Sequence, residues 1–153
     1  MKKVLMVLIA VAVVAAAGVA AADSASVAVT ANVIGTCKFN SGGSITYTDL
    51  DPASASTTVS GTVVQPQFWC TRNASYTITD DLGLHESGTT FRMQHGTVLT
   101  DFIPYTFTYN ATGTGTGKTA PITMNIASTI AVSDLANVSP GNYSDTVTLS
   151  ITP

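Results

Sequence analysis

Tyr143-Ser144-Asp145-Thr146-Val147-Thr148-Leu149-Ser150-Ile151-Thr152 is the stretch on which the fold class turns. Tyr143, Val147, Leu149 and Ile151 share one parity, and Ser144, Thr146, Thr148, Ser150 and Thr152 the other. Successive side chains of a strand point to opposite faces, so this segment reads as a strand with one apolar face and one wet face.

The same period recurs upstream. In 102–110, Tyr105, Phe107 and Tyr109 oppose Thr106, Thr108 and Asn110, and in 122–132 the apolar set is Ile122, Met124, Ile126, Ile130 and Val132. Ile45-Thr46-Tyr47 and Tyr76-Thr77-Ile78 are shorter cases. Across 57–70 the phase changes, with Val59 and Val63 on one parity and Val64, Phe68 and Cys70 on the other, which predicts a bulge or bend near Val63-Val64. Pro66 has no N–H for a ladder, so the chain there should be an edge or an irregular crossing. Turns are predicted at Ser41-Gly42-Gly43-Ser44, Asp51-Pro52, Asp80-Asp81-Leu82-Gly83 and Ser139-Pro140-Gly141-Asn142, and Thr112 to Thr119 reads as a mobile loop tip. No segment carries a helical stripe. Roughly seven strands in about 115 residues predict one all-β, immunoglobulin-like sandwich, in which Tyr143 suits a tyrosine corner.

The compartment follows from the first residues. Lys2-Lys3, the apolar run Val4–Ala17 and an A-x-A pattern at Ala20 and Ala22 read as a signal peptide over 1–22, cut after Ala22. The apolar run is short for a bilayer span. Cleavage leaves 153 − 22 = 131 residues, in which Lys38, Arg72, Arg92 and Lys118 face nine acidic residues, 4 − 9 = −5. Nothing in that balance points to nucleic acid or anionic lipid as a partner. So few charges suit a protein packed against copies of itself. Cys37 and Cys70, the two cysteines of an exported chain, read as one disulfide.

Catalytic and cofactor motifs are lacking. Gly113-Thr-Gly-Thr-Gly117-Lys118-Thr119 has Thr112 where a phosphate loop needs its first Gly, and it precedes a strand. His85-Glu86 lacks a second zinc-spaced His, and His85 and His95 read as surface-loop residues. No G-x-S-x-G elbow occurs. The sequence therefore implies no catalytic residue, metal, cofactor or small-molecule substrate.

Residues 23–35 hold the functional signal. Val27, Val29, Ala31 and Val33 form an aliphatic stripe, opposed by Ala28, Thr30 and Asn32. As a strand of eight or nine residues it would span close to 30 Å. An apolar N-terminal strand is an aggregation risk unless covered, either by its own domain or by a neighbour. Composition leaves both open.

Several residues give the chain a family likeness: Gly35-Thr36-Cys37, Phe68-Trp69-Cys70 with Tyr76-Thr77-Ile78, Arg92-Met93, Ile103-Pro104-Tyr105, and the ending Pro140-Gly141-Asn142-Tyr143-Ser144-Asp145-Thr146-Val147 through Thr152. It resembles the spore coat U family, which includes major subunits of archaic chaperone–usher pili. It departs from that pattern at Tyr47-Thr48, where Phe-Gly is common, and in the loop Gly113–Gly117. The resemblance implies an incomplete sandwich over 36–153 whose last strand, 143–152, is left uncovered. Its groove would be filled first by a periplasmic chaperone. At an outer-membrane usher, the donor-strand extension 23–35 of the next identical subunit would replace the chaperone. Val27, Val29, Ala31 and Val33 would then be donor residues, and Tyr143, Val147, Leu149 and Ile151 would line the acceptor groove. The implied product is a surface fibre supporting adhesion or biofilm. The alternatives are a spore-coat or secreted matrix protein of the same family and, further off, a sugar-binding adhesin.

Overall fold

A computed structural model describes residues 22–153. The signal-peptide reading falls almost wholly outside them. Residues 22–32 belong to a unit separate from the rest of the chain and have exposed side chains and no regular secondary structure.

Residues 33–153 form an all-β unit. Its strands are β1 (Cys37–Ser41), β2 (Ser44–Thr46), β3 (Thr58–Ser60), β4 (Thr62–Val64), β5 (Gln67–Cys70), β6 (Ser75–Asp80) and β7 (Phe91–His95). They continue as β8 (Phe102–Thr108), β9 (Thr112–Thr114), β10 (Ile122–Thr123), β11 (Ala127–Ala131), β12 (Tyr143–Ser144) and β13 (Leu149–Thr152). One sheet runs β12-β7-β8-β11-β3. Opposing it, β5 lies between β1 and β10, and β6 between β13 and β9, while β2 and β4 form a separate ribbon. This is the immunoglobulin-like arrangement expected from the alternation.

Parity fills the core. Phe68, Cys70, Tyr76, Ile78, Met124 and Ile126 form one buried cluster, and Ile103, Ile130 and Leu135 a second. Phe68 meets Tyr76 edge-on at 4.9 Å between ring centroids, the geometry that aromatic quadrupoles favour. Residues 58–64 keep Val59 and Val63 inward, and the inward set then shifts to Pro66, Phe68 and Cys70. Pro66 lies between strands, where no ladder donor is needed.

Three expectations are corrected. The Thr112–Thr119 tract is not simply a loop tip, because Thr112–Thr114 pairs with Ser75–Thr77. A side chain at Gly113 would strike the Tyr76 ring, and one at Gly115 would strike the backbone of Cys70 and Thr71. Bare backbone is what lets this strand lie close. Segment 122–132 is two strands in different sheets, followed by a 3-10 turn at Val132–Leu135. His95 is a core residue, 6% exposed at the end of β7, and not a surface-loop residue. Its Nδ1 accepts from the N–H groups of Thr97 (3.1 Å) and Val98 (2.9 Å), which leaves the other nitrogen to donate to the Pro140 carbonyl. The imidazole thus satisfies the donors of the turn after β7. His85 is half-buried near Phe102.

Tyr143 donates its hydroxyl to the Ser139 carbonyl (2.8 Å), forming the tyrosine corner. The Cys37–Cys70 disulfide joins directly paired positions of β1 and β5. Closing a loop of 33 residues stabilises the fold by about 3–4 kcal/mol through the unfolded state. Cys37→Ser should lower stability by that amount, read as a shift in the urea midpoint; an unchanged midpoint would contradict this.

Candidate functional site

The last segment crosses between sheets. Tyr143 and Ser144 pair with His95 and Gln94 of β7, whereas Leu149 to Thr152 pair with Asp80 to Thr77 of β6. Both β12 and β13 are edge strands with one partner each, and so is β2. Their outer backbone groups have no ladder partner among the described residues.

Between these edges lies a groove of about 400 Å³. That is an order of magnitude above the ~30 Å³ share of one water, in a class of molecule whose interiors seldom hold such gaps. Ile45 and Val63 form one wall, Met93, Tyr105, Phe107 and Ile126 the floor, and Tyr143, Val147 and Leu149 the other wall. Of these nine, only Ile126 is buried; the other eight are half-buried. In a closed sandwich the inward parity of every strand is covered. Here the inward parity of the last strand is only partly covered, since Tyr143, Val147, Leu149 and Ile151 are all half-buried.

Three of the four groove residues expected from the sequence therefore line the gap. Ile151 does not; it is half-buried opposite Ile78 and packs on the first core cluster. The walls from β2 and β4 were not foreseen, although Ile45-Thr46-Tyr47 carried the alternation. Of the stripe in 23–35, Val27 is 85% exposed, Val29 89% and Val33 80%, and Ala31 is also exposed. β-branched side chains left so open are a cost to any chain in water.

Polar groups fix the groove's rim. Asp145 accepts from the Tyr105 hydroxyl (2.6 Å) and the Leu84 N–H (2.9 Å). Burial, and then this carboxylate, push the Tyr105 phenol far above its ordinary range. Asp81 accepts from the N–H groups of Thr148 (2.8 Å) and Gly83 (3.0 Å), and hydrogen bonding from Thr148, its side chain first and then its backbone, is the main cause of its lowered carboxyl pKa. A carboxylate held below its unfolded value stabilises the fold above that value and loses the effect as pH falls through the folded one. The melting temperature should therefore drop as pH falls below about 3.8, the ordinary carboxyl value, with the last strand loosening first. Asp81→Asn should flatten that acid limb. An equally steep limb in the variant would refute the assignment.

No group of three or more potential ligands among the described residues could hold a metal ion. What the site offers is a groove with largely apolar walls beside the edge strands β2, β12 and β13.

The model of the Spore Coat Protein U domain matches residues 23–150. No curated protein matches the chain. Among solved structures, a similar chain belongs to the CsuC–CsuE chaperone–tip adhesion subunit pre-assembly complex from archaic chaperone–usher Csu pili of Acinetobacter baumannii. The two share 17% identity at a TM-score of 0.46, over 78% of this chain and 40% of that one. This chain thus spans about two fifths of the length of that one.

Proposed function

The chain belongs to the Spore Coat Protein U domain family, and from that premise we propose that it is a structural, non-catalytic subunit of a bacterial surface fibre. Residues 23–35 of one copy add a strand to the groove of the next. Val27, Val29, Ala31 and Val33 enter sockets along Tyr143, Val147 and Leu149, and Ile151 continues the same face. Before assembly, a periplasmic chaperone covers the groove, and an outer-membrane usher exchanges it for the donor. The interface joins two different patches, so repetition yields an open filament rather than a closed ring. The filament then serves adhesion or biofilm formation.

One observation carries the reading: the inward face of the last strand is half-exposed along an open groove, while a β-prone stripe of valines stands exposed in the same chain. A coat-layer role, which the family's description favours, would use the same joint with a different outcome in space. Negative-stain microscopy of expressing cells distinguishes them. Thin fibres built of this chain support the proposal, and an amorphous or sheet-like layer would replace it with the coat reading.

A further inference from the structure

The charges that this chain keeps are unevenly placed. Of its basic residues after position 22, Arg92 is consumed internally: it donates to the carbonyls of His85 and Glu86 and lies over the Phe102 ring. The other three collect around the single tryptophan. Lys38 on β1 is the cross-strand partner of Trp69 on β5. The Lys118 amine sits 5.9 Å from the indole centroid, and Arg72 flanks Gly117, next to Lys118. Lys38, Arg72 and Lys118 are all exposed.

Carboxylates gather at the other end of β6. Arg72 precedes the first residue of that strand by three positions, and Asp80 is its last residue. Asp80 and Asp81 sit together there, and Asp145 joins them by accepting from the Leu84 N–H. β6 separates the two groups by roughly 17 Å at 3.3–3.4 Å per residue. The two groups do not meet within one chain, and the neutral donors that each carboxylate already holds (Tyr109 and Leu82 to Asp80, Thr148 and Gly83 to Asp81, Tyr105 and Leu84 to Asp145) leave its charge uncompensated.

Their positions relative to the joint give them a partner. The chain enters β1 through Thr36, whose N–H and carbonyl both bond Thr71, the neighbour of Arg72. The cationic face therefore stands where residues 23–35 leave the body. Asp145 lines the groove, and Asp80 and Asp81 stand beside its rim. We infer that the cationic sheet face around Trp69 docks a second copy of this chain through the carboxylates Asp80, Asp81 and Asp145. This rests on the donor-strand reading. A donor antiparallel to the last strand carries its own body, cations first, to the acidic end of the acceptor groove, whereas a parallel donor carries it away. Attraction between the two groups adds to strand addition, and it opposes head-to-head encounters through like-charge repulsion.

A zero-length carbodiimide, which joins an amine to a carboxylate in direct contact, tests this on assembled wild-type protein. The expected products, mapped by mass spectrometry, link Lys38 or Lys118 to Asp80, Asp81 or Asp145 in polymer and vanish in the monomeric subunit. Polymer in which these lysines cross-link elsewhere, or not at all, would overturn the inference and leave the donor-strand reading intact. Absence of any polymer would defeat that reading and this one with it. Lysines that stay reactive in polymer and become protected only by added polyuronate would assign the face to an acidic glycan instead.

Discussion

Val29→Asp is expected to abolish polymer while the soluble, chaperone-bound subunit stays at its normal level. Burying an aliphatic side chain is worth roughly 1.5–3 kcal/mol, so Val27, Val29 and Val33 together could contribute about 5–9 kcal/mol before ordering costs. An aspartate in the middle of that stripe removes one share and places an unpaired charge in apolar sockets, at several kcal/mol more. A loss of about 4 kcal/mol alone weakens each joint about a thousandfold. Val29 is 89% exposed in the subunit, so the same change costs the subunit itself almost nothing. Thr30→Ser, on the opposite parity, should be nearly silent. If Val29→Asp removed soluble subunit and polymer together, the segment would belong to its own domain.

The second large effect is the reciprocal one, on the groove. Val147 is half-buried in the wall formed by the last strand, two residues beyond Asp145. Asp145 tolerates its position because Tyr105 and Leu84 donate to it. Val147 shares its groove with the apolar side chains of Ile45, Val63, Met93, Phe107, Ile126 and Leu149. Val147→Asp should therefore destroy the acceptor function and leave the donor segment intact. Because Val147 is only partly covered, the subunit should lose no more than about 1 kcal/mol. Gel analysis should show subunit and no heat-resistant ladder. Subunit missing from the periplasm would mean that Val147 serves the core and not a joint.

The legible parts of this molecule are those governed by side-chain parity. The segment 143–152, the inward set of 102–110 and the even-numbered apolar run from Ile122 to Val132 all bury their residues as the alternation requires, although 143–152 and 122–132 are each split into two strands in different sheets. The cysteine pair also followed from sequence, since Cys37 and Cys70 are direct partners across β1 and β5. Elements that use no apolar side chain were illegible. In β9, Thr112-Gly113-Thr114, the contact is made by bare backbone against Tyr76, a relation that no periodicity records. β7 was hidden because its inward set is Phe91, Met93 and His95, and a histidine that serves a turn's backbone looks like a loop residue. The groove was half legible. Its wall from the last strand is a pattern, but the opposite wall depends on where the bend near Pro66 sends β2 and β4.

Mixing the two disabled subunits tests the central claim most directly. A Val29→Asp copy can accept a strand but not donate one, and a Val147→Asp copy can donate but not accept. Each alone should remain monomeric or chaperone-bound. Together, with chaperone and usher present, they should form one discrete heat-resistant species of two subunits, one of each kind, and nothing longer. A ladder of longer products, or no joined product at all, would contradict the account.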